Sequence, residues 1–173
     1  NILVILSVMD ILRLNLKKNY KKLENLRPLP GRGEILQIKK RSKKFFLIDE
    51  SYNSNPNSLK MAIQDLNKEK YKFKEKILVI GDMLELGKFA KKMHEEIVPI
   101  ISNIQPKLVI TVGEISRVIS ESLPPNISSF HFKKVFHMYN KLLTKIDNND
   151  IVMVKGSNST KLSMLIKFLS QGM

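Results

Sequence analysis

The chain has no cysteine and no tryptophan among its 173 residues, and only three histidines. Without thiols there is no disulfide and no thiolate metal site, and the isolated histidines lack a zinc spacing such as HxxxH. Acidic residues are scarce, 16 against 30 Lys and Arg, for a formal charge of +14. That excess makes phosphate-bearing partners worth testing without establishing nucleic-acid binding. Long apolar runs are also missing. The opening Ile2-Leu3-Val4-Ile5-Leu6-Ser7-Val8-Met9 ends in polar residues before the roughly 20 that a membrane span needs, and no basic leader precedes it. Neither a signal peptide nor a transmembrane helix is read, and the expected location is cytoplasmic. Neither GxxxxGK[ST] nor GxGxxG occurs, which excludes a P-loop in this chain and weakens a dinucleotide-binding reading.

What is present is 43% hydrophobic residues in 20.0 kDa, enough for one full core or for one domain with part of a second. A start in mid-pattern at Asn1, without Met, suggests a fragment of a longer chain. Charge divides the sequence unevenly: residues 1–44 hold 12 basic and 3 acidic residues. Leu3, Leu6, Met9 or Asp10, and Leu14 recur at near-helical spacing, followed by a Lys-rich exit over 17–22. This predicts one helix with nothing of its own to bury against. Arg27-Pro28-Leu29-Pro30-Gly31-Arg32-Gly33-Glu34 then reads as a turn-rich loop, and Ile35 to Ile38 as a short strand.

From Phe45 onward, continuous apolar runs alternate with helical patterns. Phe45–Ile48, Ile77–Ile80, Leu108–Val112 and Ile151–Val154 suit parallel strands covered on both faces, with Ser129–Phe132 a weaker fifth. Between them Leu59, Ala62, Ile63 and Leu66 mark a helix capped by Asn55 with Pro56 at its first position. A second helix is expected after Gly87, with Ala90, Met93, Ile97 and Ile100 or Ile101 toward the sheet. Further helices are expected over Ile115–Ile119, Val135–Ile146 and after Thr160. The pattern predicts an α/β fold: a three-layer, Rossmann-like, mostly parallel sheet of about 130 residues.

In such a sheet ligands bind outside the carboxyl ends of the strands. Asp49-Glu50-Ser51-Tyr52-Asn53-Ser54-Asn55-Pro56 offers two carboxylates for a ribose, cation or amine, and a helix start for an anion; an ordinary capped turn accounts for it equally. Gly81-Asp82-Met83-Leu84-Glu85-Leu86-Gly87, with His94 beyond it, presents acids that bind an amine or brace a neighbouring loop. Lys155-Gly156-Ser157-Asn158-Ser159-Thr160 places a cation and a hydroxyl at another strand end, or simply a solvated Lys and a helix cap. No nucleophile–base pair follows from these residues.

Taken together, these loops and Gly31-Arg32-Gly33-Glu34 resemble the carboxyl-terminal portion of the Mur ligases, in the branch acting on D-alanyl-D-alanine. The resemblance covers nearly the whole chain; the Ser51-Tyr52-Asn53-Ser54-Asn55-Pro56 and Gly81–Gly87 blocks are its most specific parts. It implies residues 1–38 as the tail of a central ATP-binding domain plus linker, and 42–173 as a carboxyl-terminal Rossmann-like domain. It implies an ATP- and Mg2+-dependent peptide ligase of peptidoglycan precursor synthesis. ATP would phosphorylate the terminal carboxylate of UDP-MurNAc-tripeptide, and the D-alanyl-D-alanine amine would attack the acyl phosphate.

By the same carry-over, Asn1 matches an adenine-contacting Asn of an HNxxN segment, Arg32 an arginine reaching ATP, and Glu50 an acidic residue near the ribose that is usually Asp. Asn53, Asn55, Lys155 and Ser157 match the dipeptide and phosphate side. Asp82, Glu85, His94 and Asn158 match supporting positions, with Asn158 standing where relatives usually carry Arg. No metal ligand and no complete catalytic set is expected here, and the fragment alone is expected to be inactive without its missing domains. The competing reading is a basic Rossmann-like module that docks on nucleic acid or protein through Lys39-Lys40-Arg41-Ser42-Lys43-Lys44. Such runs are more often solvated faces, and no aromatic-interleaved RNA motif accompanies this one.

Overall fold

The computed structural model describes residues 2–15, 27–68 and 75–171. Helix α1, Ile2–Ile11, forms where the apolar spacing predicts it and buries none of its residues. Leu3 and Ile11 are 79% and 78% exposed, so the helix shows an apolar surface that the other described residues leave uncovered. The Lys-rich exit over 17–22 lies outside the described residues.

Six strands form one sheet: β1 (Glu34–Lys40), β2 (Lys43–Glu50), β3 (Lys76–Gly81), β4 (Leu108–Val112), β5 (Ser129–Phe132) and β6 (Ile151–Lys155). Their order is β1-β2-β6-β3-β4-β5. Only β1 is antiparallel, paired with β2 from Glu34↔Asp49 to Lys40↔Lys43; the other neighbours are parallel. The segment Ile35–Ile38 is thus part of this sheet, and the expected division at 38–42 falls on the β1–β2 hairpin turn. The inner strands β3, β4 and β6 are buried almost throughout, which is why they read as unbroken apolar runs rather than alternating ones.

One face of the sheet is covered by α6 (Val135–Lys145) and α7 (Leu162–Ser170), whose Met138, Leu142, Leu165 and Leu169 pack on Leu47, Val79, Ile110 and Val152. The other carries α2 (Pro56–Asp65), α3 (Ala90–Glu95), α4 (Val98–Ile104) and α5 (Arg117–Ser122). There Leu59, Ile63, Ile97, Ile101 and Ile119 meet Ile48, Leu78, Ile80 and Val109. Each fully buried Leu or Ile contributes roughly 1.5–3 kcal/mol of transfer free energy, so the two apolar layers hold the sheet from both sides.

The single helix expected after Gly87 is three pieces: a 3-10 turn at Gly87–Phe89, then α3 and α4. Pro99, in the first turn of α4, has no N–H to give the carbonyl four residues back, so the ladder cannot run through. His94, rather than Met93, takes the fully buried position on α3. In the basic hairpin, Lys40 donates to the Gln171 carbonyl beyond α7, and Lys43 to the Leu143 and Ile146 carbonyls at the end of α6. Cations at helix carboxyl ends satisfy orphan carbonyls and oppose the dipole. Two residues of the apparent polyanion-binding run therefore act as struts.

Candidate functional site

The first site is built where β2 and β6 end side by side. Gly31 and Gly33 adopt φ of +78° and +89°, which glycine reaches without a Cβ penalty, and they fold the preceding loop back over the end of β2. Asp49 fixes that loop: its Oδ2 accepts from the Gly31 amide at 3.0 Å, while its Oδ1 accepts from the Ser51 amide and hydroxyl at 3.1 and 2.6 Å. Asp49 is thus a bracing carboxylate.

Glu50, next in the strand, pairs through Oε2 with the Lys155 ammonium at 3.0 Å, and the same ammonium donates to the Asn53 carbonyl at 3.1 Å. The Lys155 side chain is only 3% exposed, yet an ammonium has three hydrogens and these bonds use two. Around the pair lies an open cavity of about 260 Å3 lined by Gly31, Arg32, Glu50, Tyr52, Asn53, Asn55, Ser58 and Lys155. Sequence-expected residues from three separate segments therefore meet in one place. Arg32 stacks its guanidinium over the Tyr52 ring, 4.2 Å from the centroid.

The start of α2 is less open to an anion than its sequence suggests. Pro56 has no amide hydrogen, and Asn55 accepts the Ser58 amide at 2.8 Å in a capping box that Ser58 closes on the Asn55 amide. Asn55 lines the cavity with its side-chain oxygen already engaged.

A second knot ties the neighbouring strand ends. Asp82, 8% exposed, accepts from three backbone amides: Glu114 at 3.0 Å, Ile115 at 3.1 Å and Ser116 at 2.7 Å. Those bonds hold the β4–α5 loop and delay α5, which begins at Arg117 rather than at Ile115. The Asp82 carbonyl in turn accepts the Ser157 amide at 3.0 Å, and the Ser157 hydroxyl oxygen accepts the Leu84 amide at 3.1 Å. Of the two roles open to Asp82 the geometry supplies bracing, and Ser157 is buried in the same lacing.

His94 is fully buried: Nδ1–H donates to the Ala90 carbonyl at 2.7 Å and Nε2 accepts the Met83 amide at 2.9 Å. With both nitrogens engaged, it shapes the loop after β3 rather than facing a ligand. Glu85 is exposed at φ +63°, and Asn158 is exposed at the start of the 3-10 turn Asn158–Thr160; neither lines the first cavity. Asn1 lies outside the described residues.

A larger cavity of about 460 Å3, absent from the sequence reading, opens at the ends of β3, β4 and β5. Leu84, Val112, Val135, Phe136 and Met164 give it apolar walls; Glu114, Lys133, Lys134 and Lys161 give it charge. Lys133 and Glu114 lie 3.5 Å apart. The signal was present, since Gly113-Glu114 and Lys133-Lys134 each follow a strand directly and strand-end loops are where ligands bind. The weakness of β5 as a strand pattern hid it.

Comparison with known proteins decides the family. The description "Mur ligase, glutamate ligase domain" matches residues 31–158. The chain belongs to the Mur ligase family. It is 30% identical over 164 residues to the UDP-N-acetylmuramoyl-tripeptide–D-alanyl-D-alanine ligase of Rickettsia prowazekii, covering 95% of this chain and 35% of that protein. With the ligase of the same name from Bacillus subtilis it shares 32% over 143 residues, covering 79% and 30%. This Mur ligase chain thus spans about a third of those relatives.

Among solved structures, the MurF ligase of Thermotoga maritima in complex with ADP superposes with a TM-score of 0.77 at 22% identity, covering 95% of this chain and 36% of that one. MurF from Acinetobacter baumannii gives 0.77 at 24%, covering 92% and 34%. At these identities the likeness speaks for the fold, and the fold is the α/β, mostly parallel arrangement that the apolar runs predict.

Proposed function

We propose that this chain is the part of an ATP-dependent peptidoglycan-precursor ligase that closes over the nucleotide and delivers the amine substrate, D-alanyl-D-alanine, to the phosphorylated carboxylate of UDP-MurNAc-tripeptide. The observation that carries it is the placement of two cavities along one edge of the sheet, joined by the loops that Asp82 and Ser157 lace together.

The first cavity fits the polyphosphate and ribose side of ATP. Arg32 and Lys155 supply positive charge for phosphoryl oxygens, and the Glu50 carboxylate is a hydrogen-bond acceptor for a ribose hydroxyl. The second cavity fits a small zwitterion with two methyl groups: apolar walls for the methyls, Lys133, Lys134 and Lys161 for the carboxylate, and Glu114 for the ammonium. Asn53 and Lys155 line the first cavity and would face the incoming amine there, as the family resemblance implies.

ATP transfers its γ-phosphoryl group to the tripeptide carboxylate and leaves as ADP. The amine of the dipeptide then attacks the acyl phosphate, loses a proton and expels phosphate as the peptide bond forms. What this chain contributes is proximity and charge neutralisation, and both require a neighbour that holds the activated carboxylate. Helix α1 and the chain ahead of β1, which begins at Glu34, would lead in from that neighbour, the ATP-binding domain.

The Mg2+ expected with ATP finds no cluster of carboxylates among the described residues. Among the described residues no three His, Asp or Glu converge, Asp49 and Asp82 are engaged by amides, and Glu50 by Lys155. None of the steps above runs through a metal held by this chain.

Nuclear magnetic resonance titration of the chain tests the assignment. ATP is expected to shift Gly31, Arg32, Glu50 and Tyr52, and D-alanyl-D-alanine to shift Gly113, Glu114 and Phe136 more than L-alanyl-L-alanine does. Shifts scattered away from both cavities would refute it. ATP-dependent ligation by the chain alone would refute the need for a neighbour.

A further inference from the structure

We propose that Tyr52 is a positioning residue for Arg32, holding the guanidinium at the first cavity before a ligand arrives; the assignment rests on the nucleotide reading of that cavity. Arg32 is exposed, and among the described residues its side chain makes no hydrogen bond or ion pair. Its one described side-chain partner is the Tyr52 ring, 4.2 Å away. A cation stacked on a ring is held through its flat face, which leaves the five N–H groups along its edge available for phosphoryl oxygens. A carboxylate partner would instead occupy that edge. Glu50, the carboxylate lining the same cavity, is held by Lys155 at 3.0 Å.

The backbone makes the stack a built feature. Tyr52 donates its amide to the Gly31 carbonyl at 3.2 Å, and Gly31 donates its own to Asp49. The two residues pack so closely that a Cβ on Gly31 would lie 2.8 Å from the Tyr52 Cβ and 2.9 Å from its nitrogen. Tyr52 and the residue next to Arg32 are therefore locked together at φ +78° of Gly31. A long side chain ordered beforehand loses less freedom on binding, which is how a ring that touches no reacting atom raises affinity.

The 173-residue chain, with ATP as probe, tests this through Tyr52→Phe, Tyr52→Leu, Arg32→Ala and the Arg32→Ala/Tyr52→Leu double variant. Tyr52→Phe keeps the ring and is expected to bind ATP within about twofold of the parent. Tyr52→Leu keeps bulk, loses the ring's charge distribution, and is expected to bind about 2- to 5-fold more weakly. In the Arg32→Ala background the Leu substitution is expected to change nothing further. In the free chain the Arg32 Nε–H resonance is expected to keep its ring-shifted position in Tyr52→Phe and to lose it in Tyr52→Leu.

An unmoved Nε–H resonance in Tyr52→Leu, or the same loss of affinity with and without Arg32, overturns the positioning role while leaving the nucleotide reading intact. An Arg32→Ala variant with unchanged ATP affinity, or a parent chain without saturable ATP binding, overturns the nucleotide reading and the positioning role with it.

Discussion

Replacing Gly113 by alanine probes the knot that organises the second cavity. Gly113 sits at φ +128°, where a side chain costs about 1–3 kcal/mol, and an added Cβ would lie 2.3 Å from the Asp82 Cγ. The carboxylate must move, and its three bonds to the Glu114, Ile115 and Ser116 amides go with it. Hydrogen bonds to a charged acceptor contribute about 1.5–3 kcal/mol each, but water reaches the displaced loop and the three are not independent, so a loss of about 3–5 kcal/mol is expected. That is a large share of the 5–15 kcal/mol typical of whole domains. Urea denaturation of Gly113→Ala, Asp82→Ala and the double variant measures it. Asp82→Ala should cost about 3 kcal/mol, and alanine at 113 in that background only the backbone strain of about 1–3 kcal/mol. Fully additive losses would show that the carboxylate and the glycine do not share one device.

Lys155→Met is expected to destabilise by about 2 kcal/mol in the same assay, below the range for a fully buried pair because the Glu50 side chain is 29% exposed; no change would mean the pair is not formed in solution. Asn55→Ala removes the cap of α2 and should cost about 1 kcal/mol, while Asn55→Asp should cost little. Burial first, and the Arg117 charge second, hold the His131 imidazole below its ordinary value of 6.5. The unfolded chain then takes up the proton first as pH falls. Stability from this residue is therefore full above pH 6.5 and declines as pH drops through that value toward the lower folded one. His131→Gln should flatten the decline measured by denaturation between pH 7.5 and 5.5.

The strands of this domain were legible because their inner members are covered on both sides, and the Asn55-Pro56-Asn57-Ser58 cap because capping is local chemistry. The break before α4 was legible too, in Pro99, but an apolar period that continues across it masks the interruption. At the site the sequence put Asp82 in the loop after β3 and His94 beyond it, where the structure has α3. It could not tell whether their polar atoms meet a ligand or the protein's own amides, since that depends on which loops the strand order β6-β3-β4 makes neighbours. Tyr52 was quoted as part of a motif without a role for the same reason: its partner, Arg32, lies across a strand pairing. Lys133 and Lys134 escaped notice because the strand before them, Ser129-Phe130-His131-Phe132, is only partly covered and reads weakly.

The inward turn of Lys40 and Lys43 alters what a pI near 9.9 means for this molecule. An isoelectric point counts every ammonium alike, whereas only those with free N–H groups can donate directly to a polyanion. Removing these two lysines to make the chain less cationic would also strip the carbonyls at two helix ends of their donors and leave those ends frayed.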